Sequence, residues 1–246
     1  MQIDFYHWGG MCPLADEFIN LVHLSTPTLT VESHDLTKNF ALAREKKVFF
    51  PFLTVVDHIH RYYAPITGSF MEKLKQGILP VERPYCPKLG QTVYIATIEP
   101  ITRDNYALAK QCTGRKSCGG CNTKLRMYDA VGERILGFVH REGNRLLGGA
   151  EFYPSMFVPY DIPHKEDTAF ITCVYGSDET FDYKSAPLEA LEGYLSETYR
   201  YALVVADEES VFPNGDLPFF LRHGYRDKGI LLTDDYCRLH LLAKNL

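Results

Sequence analysis

The segment Ala169-Phe-Ile-Thr-Cys-Val-Tyr175 is an apolar run with the length of a buried β-strand. Helical spacing follows over residues 188–197, and Tyr201-Ala-Leu-Val-Val-Ala206 predicts a second strand. The stretch closes with Pro218-Phe-Phe-Leu-Arg-His-Gly-Tyr225, in which a short helix at 217–223 ends at a glycine. The alternation of strand, helix and strand predicts a mixed α/β sheet.

Further elements extend this pattern on both sides. Alternating residues at 136–140 and 145–153 around Gly143-Asn144 predict a hairpin, and residues 228–232 and 238–242 predict a closing one. Upstream, the sequence predicts a strand at 92–98 and helices at 102–111 and 125–134. The sheet is therefore expected to begin near residue 91.

The order of these elements, with Phe219 to Tyr225 as its most specific part, resembles the GNAT N-acetyltransferases over residues 91–246. The resemblance implies an α/β (α+β) acyltransferase domain that moves an acetyl group from acetyl-CoA, or another acyl-CoA, to an amine. It leaves the acceptor open. The cofactor contacts that it implies are Val174, Tyr175, Gly176, Tyr183, Lys184, Ser185, Ala186, Asn214 and Phe220.

The chain departs from the family pattern in two places. The loop Asp182-Tyr-Lys-Ser-Ala-Pro-Leu188 lacks the glycines whose amides meet the pyrophosphate, and Asp182 adds a negative charge that Lys184 offsets only in part. Phe220 stands where the family often has a proton-donating tyrosine. Acid–base chemistry is therefore assigned to Glu151 or Cys173, for which the alternatives are an exposed strand glutamate and a packed core cysteine.

The N-terminal residues 1–80 show a different order. Strands are expected at 2–7, 28–34, 52–57 and 59–63, and helices at 13–23, 39–47 and 69–76. This βαβαββα order resembles a thioredoxin-like domain, as do Pro51 ahead of a strand and Trp8-Gly-Gly-Met-Cys12 in place of the dithiol turn. Cys12 is then a candidate thiolate at a helix N-terminus, or a small residue packed under a turn.

Residues 81–90 are rich in proline and glycine, which indicates a connector, and a cysteine-rich loop follows at 112–121. Cys118 and Cys121 have the spacing of two ligands to one ion, and Cys112 and Cys86 complete a set for zinc or an iron–sulfur cluster. A redox pair and unrelated loop cysteines are the alternatives. His58 and His60 lie two apart without a third ligand nearby in sequence, which favours a polar hairpin face over a metal site.

Composition limits the remaining function classes. With 246 residues, a net charge of −5 and no basic run, the chain gives no reason to expect nucleic acid as a partner. It shows neither a signal peptide nor a long apolar run, so no membrane contact and a cytoplasmic location are expected. The oligomeric state, including a homo-oligomer, stays open. The alternative to acyl transfer is a non-acetylating scaffold that acts in thiol redox chemistry or metal sensing through Cys12 and the 112–121 cysteines.

Overall fold

The computed structural model describes residues 1–15, 19, 29–113, 121–176, 178–212 and 214–246, without the side chains of residues 113, 121 and 122. The chain divides into two compact units. The first is built chiefly from Met1–Arg83, and the second chiefly from Tyr128–Val158 and Ile162–Leu246. The connector residues from Pro84 onward belong to the second unit.

The first unit contains a four-stranded sheet, and its segment Met1–Arg83 also forms two short helices. Its elements are β1 Gln2–His7, β2 Thr30–Asp35, α1 Phe40–Glu45, β3 Phe52–Val56, β4 His60–Tyr62 and α2 Gly68–Lys75. The strand order is β2-β1-β3-β4, with β1 parallel to β2 and antiparallel to β3. The predicted strands and the later two helices are thereby confirmed, whereas most of the predicted helix at 13–23 lies outside the described residues.

The second unit contains a seven-stranded mixed sheet. The strands described after β4 are β5 Thr92–Val93, β6 Thr97–Ile101, β7 Gly137–Glu142, β8 Arg145–Pro154, β9 Thr168–Tyr175, β10 Phe181–Asp182, β11 Tyr201–Asp207, β12 Arg226–Thr233 and β13 Arg238–Asn245. The strand order in the sheet is β12-β13-β11-β9-β8-β7-β6. The helices described after α2 are α3 Tyr106–Ala109, α4 Cys121–Val131, α5 Ser185–Leu195 and α6 Leu217–Arg222, with short 3-10 turns at Lys110–Thr113 and Ser155–Phe157.

Helix α5 is held to the sheet by one apolar face. Leu188, Leu191 and Leu195 recur at the spacing of a helix face, and all three are fully buried in one apolar cluster with residues of β8, β9 and β11. The predicted strands at 169–175 and 201–206 are confirmed, as is the helix between them, which begins earlier than expected, at Ser185. The core of the second unit therefore lies between α5, α6 and this part of the sheet.

The predicted strand at 92–98 is wrong in its bounds. Residues 92–93 form β5, which pairs in parallel with β10, and the large sheet begins only at β6. Tyr94 lies between the two, where its ring packs against Phe181 and Tyr183 and its hydroxyl donates a hydrogen bond to Glu142. These contacts pull the chain out of the register that one continuous strand would need.

None of the helices in the described part of the chain is long and apolar enough to cross a membrane.

Candidate active site

Strands β9 and β11 diverge in the middle of the sheet of the second unit. They pair in parallel only from Thr168–Tyr201 to Phe170–Leu203, although β9 continues to Tyr175 and β11 to Asp207. On its other side β9 stays paired with β8 up to Tyr175. The outer half of β9 thus has one edge that does not pair with β11, and this edge faces a cleft.

The cleft has a volume of about 590 Å³. It is lined by the end of β9, by the connector and by the loop after β11: Tyr85, Pro87, Lys88, Leu89, Cys112, Val174, Tyr175, Gly176, Asp178, Glu179, Lys184, Val211 and Phe212. The connector is fixed there because the carbonyl of Tyr85 accepts a hydrogen bond from the amide of Val211, and the amide of Gly90 donates to the carbonyl of Asp178. A chain segment that composition predicts as a linker is therefore part of the cleft wall.

Gly176 turns the chain at the end of β9. Its φ of +90° lies in the left-handed region, and a Cβ there would come within 2.1 Å of the Leu147 carbonyl oxygen. Gly149 makes room in a similar way, because a Cβ would meet the hydroxyl of Tyr175 at 2.5 Å. The two glycines shape the floor of the cleft and let the Tyr175 ring fold back over β8.

Four sequence-predicted residues come together beside this floor. Glu151 and Cys173 are cross-strand partners on β8 and β9, and Glu151 is only 1% exposed. Burial and the charge of Glu151 raise the pKa of the Tyr175 hydroxyl well above its ordinary value of 10.0. The thiols of Cys112 and Cys173 also raise the pKa of the Tyr175 hydroxyl, so all four groups are neighbours. The alternative of an exposed strand glutamate is therefore wrong for Glu151.

At the start of α5, a carboxylate of the chain itself occupies the helix N-terminus. Asp182 Oδ1 accepts hydrogen bonds from the amides of Lys184 at 2.8 Å and Ser185 at 3.1 Å, and Oδ2 accepts from the Ser185 hydroxyl at 2.5 Å. Burial opposes ionisation of Asp182, yet these hydrogen bonds hold its pKa below the ordinary value of 3.8. Two of the amides that could meet an anion at this helix end, those of Lys184 and Ser185, are thus already satisfied.

A second cavity of about 360 Å³ lies around this helix end, and its lining includes Lys184, Arg222 and His223 together with the carboxylates of Asp182 and Asp216. Lys184 is only 4% exposed, its Nζ lies 4.4 Å from the centre of the Phe219 ring, and burial lowers its pKa. His223 Nδ1 donates to the carbonyl of Phe219, and its Nε2 lies 2.8 Å from Ser185 Oγ. Because Lys184 also lines the first cleft, the two cavities share one wall.

The remaining predicted cofactor contacts lie in different surroundings. Tyr183 is buried with its hydroxyl 3.1 Å from Asp178, and Ala186 is in the first turn of α5. Asn214 donates to the carbonyl of Val205 on β11, while the cap of α6 is Asp216, not Asn214. Phe220 is fully buried and packs against Tyr225 in the core. A cofactor contact by these residues stays a prediction.

The predicted metal ligands are described only in part. Cys118 and the side chain of Cys121 lie outside the described residues, and Cys86 and Cys112 are exposed. Burial and the charges of Glu209 and Asp207 raise the pKa of the Cys86 thiol, which disfavours the thiolate that a metal ligand requires. Cys12, in the first unit, is half-buried and precedes a helical turn at residues 13–15. The cysteine site stays a prediction.

Sequence reasoning missed three features of this site. Tyr175 was expected to touch a cofactor through its backbone, yet its hydroxyl lies beside Glu151. His223 and Arg222 gave no signal beyond their place in the 218–225 segment. The wall formed by residues 85–89 could not be found, because proline-rich composition predicts a connector and not the surface on which it packs.

Asp182 carries a prediction about acid stability. Because its pKa is lowered on folding, its ionised form stabilises the protein above pH 3.8, and this contribution is lost as the pH falls below that value. We expect Asp182→Asn, which keeps a capping side chain, to flatten the fall in melting temperature in this acid range. Thermal unfolding followed by circular dichroism checks this. Asp235→Asn, an exposed carboxylate, is the control, and an unchanged acid profile for Asp182→Asn would contradict the role of the cap.

Comparisons with known proteins give structural similarity without sequence similarity. No protein-family model and no curated protein sequence matches the chain. The structure is similar to ribosomal-protein-alanine N-acetyltransferase from Brucella melitensis over 61% of this chain and 99% of that one, with 12% identity and a TM-score of 0.45. It is also similar to an N-acetyltransferase from Staphylococcus aureus Mu50, over 62% of this chain and 99% of that one, with 16% identity and a TM-score of 0.43. A third similar structure is the aminoglycoside 6'-N-acetyltransferase from Enterococcus faecium, over 61% of this chain and 96% of that one, with 12% identity and a TM-score of 0.42.

Proposed function

We propose that the second unit is a GNAT-type N-acyltransferase that binds an acyl-CoA in the cleft beside β9. The observation that carries the proposal is the divergence of β9 and β11 after three paired positions. A strand edge left open in this way can hydrogen-bond an extended ligand that carries amide groups, as the pantetheine arm of CoA does. The order of strands and helices along the second unit agrees with the order on which the resemblance in the sequence rests.

The residues at the other end of the cleft fit phosphate groups through side chains instead of amides. Asp182 accepts the amides of Lys184 and Ser185, so the usual anion site of a helix N-terminus is partly occupied. Lys184, Arg222 and His223 line the adjacent cavity beside Asp182 and Asp216, and they offer cationic or hydrogen-bonding groups to a diphosphate. We infer that the chain replaces a backbone phosphate site by a side-chain site.

Bound acyl-CoA would supply an activated thioester to the acceptor amine. We assign to Glu151 the proton that the amine loses as its nitrogen bonds to the acyl carbon, because the buried carboxylate lies beside the cleft residue Tyr175. Tyr175 keeps its proton at neutral pH, since its pKa is raised well above 10.0, and so it can donate that proton to the CoA sulfur as the carbon–sulfur bond of the thioester breaks. A proton given up by Tyr175 can be replaced from Glu151. In this assignment Tyr175 is the proton donor, a role that Phe220 cannot fill because it has no hydroxyl.

Calorimetric titration with acetyl-CoA and with desulfo-CoA tests the proposal. Both are expected to bind, because the arm and the phosphates carry the contacts and the sulfur does not. A dissociation constant weaker than about 1 mM for both ligands would contradict acyl-CoA use. That outcome would favour a non-acetylating scaffold, for which the occupied helix N-terminus at Asp182 is the supporting observation.

The phosphate assignment predicts the effect of Lys184→Met. The methionine fills the same space over Phe219 but removes the buried positive charge, so we expect acetyl-CoA to bind about tenfold more weakly, the equivalent of about 1.4 kcal/mol. Lys228→Met changes a lysine that lines a different cavity and serves as the control. Equal calorimetric affinities for the Lys184 and Lys228 variants would show that Lys184 does not meet the phosphates.

We further propose that the first unit, residues 1–80, is a thioredoxin-like domain. Its strand order β2-β1-β3-β4 supports this, as does the hydrogen bond from the Trp8 amide to the Pro51 carbonyl, which brings the Cys12 turn to the proline that precedes β3. Cys12 would then react with electrophiles as a single thiol. We expect Cys12→Ser to remove the fastest-reacting thiol in a stopped-flow titration with a disulfide reagent. An unchanged fast phase would assign that reactivity to another cysteine.

A further inference from the structure

A group of metal-ligating side chains lies in the first unit, outside the proposed acyl-CoA site. Asp4 on β1 and Glu32 and His34 on β2 each offer one ligand atom, and these atoms all lie within 4.8 Å of one another. His58 is in the turn between β3 and β4, and its Nδ1 lies close to Oδ2 of Asp4. The four residues are separated by up to 54 positions in the sequence, and only the sheet brings them together.

The distances suit shared coordination of one ion. His34 Nε2 lies 3.0 Å from Asp4 Oδ1 and 4.0 Å from Glu32 Oε2, and His58 Nδ1 lies 3.4 Å from Asp4 Oδ2. Ligands held at about 2.0–2.2 Å from a zinc ion in a tetrahedral site are themselves about 3.3–3.6 Å apart. Glu32 has to move closer, and so does His58, which lies near Asp4 but outside the group of three; their side chains are 58% and 76% exposed, so both can turn.

Two carboxylates of this group lie side by side on neighbouring strands, and the imidazole of His34 lies within 4.0 Å of both. Asp4 and Glu32 are direct cross-strand partners in the parallel β1–β2 register, and the side chain of Asp4 is only 9% exposed. Two carboxylates opposite each other destabilise a sheet, and the cost rises when one of them is buried. A divalent cation between the two carboxylates would remove this repulsion.

Two further features orient the imidazoles. The ring of His34 stacks on Tyr6 with 4.7 Å between centroids and an angle of 18°, which fixes its plane. His58 and the preceding Asp57 have φ values of 62° and 48°, a left-handed conformation for which a hairpin turn normally uses asparagine or glycine. The chain instead places an imidazole at this turn, and its Nδ1 faces Asp4.

We propose that Asp4, Glu32 and His34 bind one divalent transition-metal ion of the zinc class, with His58 as a fourth ligand. Two imidazoles with two carboxylates are a donor set that zinc and cobalt(II) accept readily, whereas calcium and magnesium prefer oxygen donors alone. The ion would tie β1 and β2 to the β3–β4 turn. The proposal is independent of acyl-CoA binding.

Cobalt(II) titration of the full chain, stripped of metal with a chelator and kept reduced, tests the site. We expect one equivalent to bind with weak visible d–d bands, as imidazole and carboxylate ligands give. Thiolate ligands would instead add intense near-ultraviolet charge-transfer bands. A Cys118→Ser, Cys121→Ser background excludes the predicted cysteine site and is expected to keep the d–d bands.

Single variants assign the ligands. His34→Gln and Asp4→Asn are expected to weaken cobalt binding about tenfold or more, whereas His60→Gln, an exposed histidine of the same hairpin, should leave it unchanged. Circular dichroism checks the fold of each variant. If Asp4→Asn does not fold, His34→Gln and Glu32→Gln on the edge strand β2 decide the question. Wild-type affinity in these edge-strand variants, or loss of all binding in the cysteine background, would overturn the proposal.

Discussion

Replacing Glu151 by glutamine is expected to lower the rate of acyl transfer by about 10²- to 10⁴-fold, the contribution of a positioned general base. The substitution keeps the size of the side chain and removes its capacity to take a proton. Glu151 is 1% exposed, so bulk water cannot easily replace it in this role. The rate is measured as CoA released from acetyl-CoA with a panel of primary amines and peptide N-termini, separated by chromatography.

The control for this variant is Glu179→Gln, an exposed carboxylate that lines the same cleft. It should retain the wild-type rate and affinity. The Glu151→Gln variant should still bind acetyl-CoA, because the carboxylate is assigned to proton transfer and not to cofactor contact. A Glu151→Gln protein with a wild-type rate would remove Glu151 from the mechanism. Equal losses in both variants would indicate a general effect of charge in the cleft.

Replacing Gly176 by alanine is expected to destabilise the protein by about 2 kcal/mol or more, since the change combines a strained φ with a steric clash. The φ of Gly176 is +90°, and the added Cβ would lie 2.1 Å from a backbone oxygen of Leu147, which cannot rotate away. Relief would require β8 and the end of β9 to separate, so acetyl-CoA binding should be lost as well. Urea unfolding followed by circular dichroism gives the free energy of unfolding.

Gly193→Ala provides a control of opposite sign. Gly193 lies within α5, and nothing stands within 4 Å of the position of an added Cβ. Alanine there should stabilise the helix by about 0.5–1 kcal/mol through its higher helix propensity. If both variants shifted the free energy of unfolding in the same direction, the strain assigned to Gly176 would be wrong.

Local patterns predict the elements of this chain well. Apolar periodicity predicts the strands at 169–175 and 201–206 and the helix between them. The pattern is visible in the sequence because each of these elements buries one face or both. The predicted strand at 92–98 has the wrong bounds because β5 pairs with β10 and the Tyr94 ring packs against Phe181, contacts that no local pattern encodes. The cleft could not be predicted for the same reason. Composition identifies residues 85–89 as part of a connector, and only long-range packing puts them in the cleft wall.

The residues of the two candidate sites show a similar division. Glu151 and Cys173 were found as chemically capable residues, but the burial of Glu151 and its closeness to Tyr175 depend on the pairing of β8 with β9. His58 was set aside because it lacks a third ligand nearby in the sequence. The parallel pairing of β1 with β2 supplies Asp4 and His34 from distant positions. Sequence reasoning identified the functional groups, whereas long-range register decides which of them meet.

Hydrogen exchange measured with and without acetyl-CoA tests the central claim most directly. The amides from Ile171 to Gly176 on the open edge of β9 are expected to become protected, together with the connector residues 85–90 and the start of α5. Peptides from the opposite hairpin, β12 and β13, should not change. Protection confined to other parts of the chain, or absent at saturating acetyl-CoA, would contradict an acyl-CoA site in the cleft between β9 and β11.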